Sequence, residues 1–265
     1  MNNTRNMNPA QYQLLVTQKV YKFLEEYKLF IGNSNIPRPI VELSKYLSGN
    51  EAQITYKKPN YILKLLDKLF EAKPKTIKST MYHEFTHILD YINAPQSLSF
   101  DEKRRILHAY SEYHAVHMEM KCACGFDNCD EVKKLDKNII VYNGFEPLNI
   151  IEYLKNYEKD FIETIKICIQ DLDAQSLVSF WQHSIYYQSK IDFFDKYCDF
   201  DIKQIIDVNI VHQLCGDYFQ KLILSINYDK FSYENLLKQE ELLNNMVKGA
   251  IMKHDDILKI CNSRL

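Results

Sequence analysis

A chain of 265 residues with only 6 glycines and 7 prolines has room for a large core in one or two domains, and it is too poor in turn formers for a turn-rich β protein. A formal net charge of −2 gives no electrostatic case for nucleic acid or a membrane surface, and no apolar run approaches the length of a membrane span. Seven cysteines, an odd number, with no apolar N-terminal segment of signal-peptide type, read as reduced thiols in a cytoplasmic protein.

Taken in order, Pro9 to Phe30 predicts a first helix with Leu14, Leu15, Val20, Phe23 and Leu24 as its apolar stripe. Residues 31–39 connect it to a short helix expected over Ile40–Leu47 and closed by Gly49. Ala52–Tyr56, where Gln53 and Thr55 flank Ile54, is the expected strand. A sheet edge there could hold an extended chain as an added strand through main-chain hydrogen bonds. Asn60–Ala72 reads as a helix, and Pro74 separates it from the next one.

That next helix carries Lys78-Ser-Thr-Met-Tyr-His-Glu-Phe-Thr-His-Ile-Leu-Asp90, with His83, Glu84 and His87 in an H-E-x-x-H arrangement. Histidines four apart share one helix face, and two imidazole nitrogens so placed can reach one zinc ion at roughly 2.0–2.1 Å each. Glu84 then stands beside the metal and is suited to take a proton from a zinc-activated water. Phe85, Ile88 and Leu89 are apolar, and neither Gly nor Pro falls between Ile77 and Ala94, as a packed helix requires.

Pro95 ends the motif helix, and Ser99 with Glu102 forms a capping box that opens a helix expected to run unbroken from Phe100 to about Met120. A short connection packs two helices antiparallel, so the middle of the second can face the His83/His87 turn. Glu112 is the candidate third ligand. Asp90, three after His87, competes as a ligand or as an acceptor for an imidazole N–H. His114 and His117 also compete, although neither shares the Glu112 face. His108, one turn before Glu112, can reach the site without being a ligand. His108, Tyr110 and His117 are the candidate oxyanion donors.

Residues 80–89, Thr-Met-Tyr-His-Glu-Phe-Thr-His-Ile-Leu, look like the zincin metallopeptidase signature, flanks included. With Glu112 in Ser-Glu-Tyr-His-Ala, the chain resembles the gluzincin branch. More loosely it is similar to small cytoplasmic zincins of the ImmA/IrrE type found with bacterial mobile elements. The resemblance covers about Ala52 to Met120. It implies that His83, His87 and Glu112 bind zinc, that Glu84 is the general base, and that the substrate is one regulatory or toxin-like protein. Val116 stands where some branches have an aspartate supporting the first histidine, and Asp90 is the available substitute.

Cys122, Cys124 and Cys129 lack the two-residue spacing of a zinc cluster and read as the loop closing the Glu112 helix. Ile139–Tyr142 suggests a short strand or an extended loop, and helices are expected over 148–171, 174–196, 202–227 and 232–262. The reading is therefore α+β and predominantly α-helical. Residues 1–130 form a zincin-like core with a small β element. Residues 131–265 form a helical C-terminal half, either packed on that core or standing as a partner. The expected function is zinc-dependent hydrolysis of a peptide bond in a protein or peptide substrate. The alternative is a non-catalytic binding protein that uses the helical half as its interaction surface. Nothing in the sequence bears on oligomeric state.

Overall fold

The computed structural model describes residues 8–45, 47, 52–143, 146–228 and 232–265, and it is α+β with helix predominant. Helix α1 (Pro9–Ile31) starts at a reciprocal Asn8–Gln11 capping box and stops at Gly32, whose φ of 64° suits a residue without Cβ. Its buried face is Val16, Val20, Leu24, Tyr27 and Phe30, while Leu14 is exposed.

Two expected helices are strands instead. Ile40–Ser44 is strand β1, and its expected stop, Gly49, lies outside the described residues. Ala52–Lys57 is β2, as expected, and Asn60–Leu66 is β3, followed by a 3-10 turn over Asp67–Glu71. The sheet order is β1-β3-β2, with β1 parallel and β2 antiparallel to β3. The central strand explains the misreading. β3 buries Ile62, Leu63, Leu65 and Leu66, so its apolar run does not alternate and resembles a buried helix segment. β2 is left at a sheet edge.

Helix α2 (Pro74–Asn93) carries the motif. Pro74 occupies its first turn, where no N–H is needed, and Ala94 turns extended ahead of Pro95. Thr86 fastens it to α1 through a buried 2.7 Å hydrogen bond with the Tyr27 hydroxyl. Lys103 donates to the Tyr91 carbonyl at 3.0 Å, placing a cation at the negative end of the helix.

The expected capping box at Ser99 and Glu102 forms, but the helix it opens is not continuous. It breaks at fully buried Leu107 into α3 (Phe100–Ile106) and α4 (His108–Ala123). Neither Gly nor Pro marks the break. α4 runs antiparallel to α2, as the short connection requires: His83 faces Glu119, and His87 faces Ser111.

After α4, the Cys122–Cys129 loop is tied by ammonium groups on backbone carbonyls. Lys121 reaches the Cys129 and Glu131 carbonyls, Lys133 that of Gly125, and Lys134 those of Lys196 and Cys198. All seven cysteines are free thiols. Strands β4 (Ile140–Asn143) and β5 (Glu146–Asn149) pair antiparallel, and helices α5 (Ile150–Asp171) and α6 (Ala174–Tyr197) follow.

The expected helix over 202–227 is instead a 3-10 turn, α7 (Ile210–Cys215) and α8 (Asp217–Tyr228), divided at Gly216 with φ 71°. The last expected helix divides at Lys253 into α9 (Tyr233–Met252) and α10 (His254–Arg264). One contiguous apolar core runs from Val16 to Cys261, so the C-terminal helices share it with the motif helices. α6 lies parallel to α4, pairing Trp181 with His108, Tyr186 with Glu112, Ser189 with His117 and Tyr197 with Phe126.

Candidate metal centre

His83 and His87 stand one turn apart on α2, with ring centroids 4.9 Å apart and planes nearly perpendicular. From α4, a single oxygen of Glu112 meets both: Oε2 is 3.5 Å from His83 Nε2 and 3.6 Å from His87 Nε2. One ligand atom from each of the three lies within 4.8 Å of the others, so the group could hold a metal ion. Both histidines turn Nε2 inward, and the outward nitrogens decide whether those Nε2 lone pairs are free.

His87 Nδ1 is 2.8 Å from the Ser111 hydroxyl, which in turn donates to Asp90 Oδ2 at 2.9 Å. With its own proton committed to Asp90, the hydroxyl accepts from Nδ1–H. His83 Nδ1 is 3.2 Å from Glu119 Oε2, an acceptor only. Each imidazole is therefore set to hold a proton on Nδ1, which leaves Nε2, the nitrogen facing Glu112, as the one that would meet a metal. That is the outer-partner arrangement that orients metal-binding histidines.

Of the competing ligands, Asp90 is fully buried and serves as an acceptor, reaching His87 through Ser111 rather than directly. His114 Nδ1 lies 2.8 Å from Asp90 Oδ1 and so secures that carboxylate. His117 Nδ1 pairs with the Ser189 hydroxyl at 2.8 Å, away from the cluster, and burial pushes it down to about 3. Tyr110 lies against His114, 3.4 Å from its Nδ1. His108 does reach the site, with Nε2 3.7 Å from Glu112 Oε1. Asp90 does not substitute for the aspartate missing at Val116. Glu119, two turns after Glu112 on the same helix, supports His83 instead.

The two histidines differ electrostatically in the metal-free site. Burial opposes charging His83, but hydrogen bonds to Glu112 and Glu119 outweigh it and push His83 up to about 10. His87 lacks a carboxylate on its outer side, and burial takes it down to about 4 despite Glu112. Burial would raise Glu112 as well, yet the facing histidines hold it well below its ordinary value.

Glu84 is buried next to the cluster, and burial raises it to about 7 against the opposing pull of His83. The backbone of Ile54, on the edge strand β2, acts in the opposite direction, while Oε2 finds no partner among the described residues. An unpaired buried carboxylate oxygen costs stability and is uncommon away from functional sites.

Three participants escaped the sequence reading. Ser111 adjoins Glu112, and Glu119 follows it by seven residues, so helical periodicity could have flagged both. Tyr186 comes from α6, far along the chain. The Tyr186 hydroxyl donates to Glu112 Oε2 at 2.8 Å, and its ring meets that of His83 edge-on at 5.9 Å. No local signal marks it.

Among the described residues, no helix is long and apolar enough to cross a membrane. Comparisons with family models, with curated proteins and with solved structures found no match, so the geometry of the three ligands and Glu84 carries the functional conclusion.

Proposed function

We propose that the protein is a zinc-dependent peptidase of zincin type whose metal is held by His83, His87 and Glu112. The observation that carries the proposal is the convergence of two Nδ1-protonated imidazoles on one Glu112 oxygen, with a separate buried glutamate beside them. Two nitrogens and one carboxylate oxygen form a three-ligand set that leaves a zinc position open. When bound, such an ion makes water a nucleophile near neutral pH and polarises a carbonyl.

The protein's own groups would do the rest. Glu84 takes the proton of the attacking water as water oxygen bonds to the peptide carbonyl carbon, then delivers it to the amide nitrogen as the C–N bond breaks. Burial, which raises the Glu84 carboxyl, favours its holding that proton between the two transfers. The Tyr186 hydroxyl, beside Glu112 Oε2, is placed to donate to the developing oxyanion, a role first assigned to His108, Tyr110 or His117. The β2 edge, whose Ile54 backbone lies near Glu84, would hold the peptide as an added strand. We place the enzyme in the cytoplasm, acting on one protein or peptide substrate. An orphaned buried Glu84 oxygen favours catalysis over a purely binding role, which has no use for a general base.

The test pairs metal content with new N-termini in cells expressing each variant. Wild type should hold one zinc per chain and generate new N-termini. Glu84→Gln should keep the zinc and lose them, and Glu112→Ala should lose both. Full cleavage by Glu84→Gln, or a wild type that takes up no zinc, would end the proposal.

A further inference from the structure

Four aromatic rings gather at the end of β2, on the flank of the metal centre. Ala52, Ile54 and Tyr56 alternate onto one face of the sheet, the face on which Ala52 and Ile54 meet the core. Tyr56 is in register with Tyr61 of β3, and their ring centroids are 5.3 Å apart. Phe100, at the start of α3, stacks on Tyr56 at 4.6 Å with planes 23° from parallel, and it reaches Tyr61 at 6.3 Å. Tyr91 of α2 meets Phe100 edge-on at 5.1 Å. Tyr91 is buried, whereas Tyr56, Tyr61 and Phe100 each keep part of the ring in water.

Two elements tie this cluster to the site. Tyr91 stands seven residues after Glu84 on the same face of α2, about 10 Å along the helix. β2 itself packs on α2, and Tyr56 lies ~7 Å along the strand from Ile54. A chain added at the β2 edge would therefore pass the rings within about three residues of Glu84. Side chains directly opposite on neighbouring strands share a face, with Cβ atoms about 4.5–5.5 Å apart. Tyr61 and Tyr56 are two members of such a row. The next place in it lies beyond the β2 edge, where no strand stands among the described residues.

We propose that Tyr56, Tyr61 and Phe100 form a subsite for an aromatic or large apolar side chain of the substrate, carried within about three residues of the cleaved bond on a strand added at the β2 edge. The proposal rests on the peptidase reading above and narrows its substrate class to chains with such a residue near that bond. Ring packed on ring rewards a further apolar surface. A charged side chain there would shed water and find no opposite charge in the row.

The probes are hydroxamates built on tripeptides, with the metal-seeking group at either end. Two residues are glycine, and the third is Phe, Leu, Ala, Lys or Glu; the all-glycine compounds are the reference. Binding is measured by calorimetry on the full-length, zinc-loaded protein as wild type, Tyr56→Thr and Phe100→Leu, each checked for zinc content. At one position Phe should bind ~10-fold tighter than Ala, with Leu next and Lys and Glu no better than Ala. Either substitution should remove most of that gain while leaving the all-glycine affinity unchanged. The wild-type series decides the question if a variant does not fold. No side-chain preference, a preference for Lys or Glu, or an aromatic preference that survives both substitutions would overturn the inference and leave the zinc reading standing. A wild type that takes up no zinc, or that holds zinc and binds none of the hydroxamates, would overturn the peptidase reading and this inference with it.

Discussion

The two histidines of the motif share a helix, a face and a target oxygen, yet they are supported from different parts of the molecule. His87 leans on Ser111, Asp90 and His114, all within α2 and α4. His83 leans on Glu119 alone among the described residues. One arm is closed, buried and local. The other remains partly wet. The C-terminal half reaches the candidate site through Tyr186, whose hydroxyl donates to Glu112 itself.

The contrast can be broken from either side. Asp90→Ala should have the largest effect, since it strips acceptors from Ser111 and His114 together in a buried setting. We expect a loss of about 2–3 kcal/mol in chemical denaturation and about 10–100-fold weaker zinc binding. A normal denaturation midpoint would show that the closed arm contributes little to the fold. Glu119→Gln should weaken zinc binding by a similar ~10–100-fold and lower the metal-free midpoint at neutral pH by less than Asp90→Ala does, because that side chain is partly exposed. Equal destabilisation by the two variants would erase the distinction between the arms.

Proton competition sharpens the comparison. In the metal-free protein His83 is raised from 6.5 to about 10, so its charged form adds stability that is fully present below pH 6.5 and is lost as pH rises toward 10. Zinc must displace that proton, so apparent zinc affinity should rise over the same interval, with proton release measurable by calorimetry in two buffers. Glu119→Gln should flatten both curves, and an unchanged pH profile would contradict the assignment. The smallest effect is reserved for a contact outside both arms. Tyr27→Phe removes the buried hydroxyl facing Thr86 and should cost about 1 kcal/mol without altering zinc affinity.

Much of the site was legible because it is helical and local. His83, Glu84 and His87 are placed by 3.6-residue periodicity alone, and Glu112 by a following helix that a short connection sets antiparallel to α2, although the capping box opens α3 rather than the helix that carries it. Glu119 obeys the same periodicity and could have been read from it. The strands at Ile40–Ser44 and Asn60–Leu66 were not legible as strands, since a buried run without alternation fits either state until a neighbour pairs with it. The break at Leu107 has no residue signature, because it accompanies the complete burial of that side chain.

The sequence by itself determined the ligand types, their spacing on α2 and α4, and the helix-dominated class, since all of these depend on contacts within a few turns of chain. Only the tertiary structure decided which acids stand behind each histidine and which tyrosine meets Glu112. It also decided that β2 brings its edge to Glu84. Those pairings join residues tens of positions apart, and packing rather than local periodicity selects among the candidates.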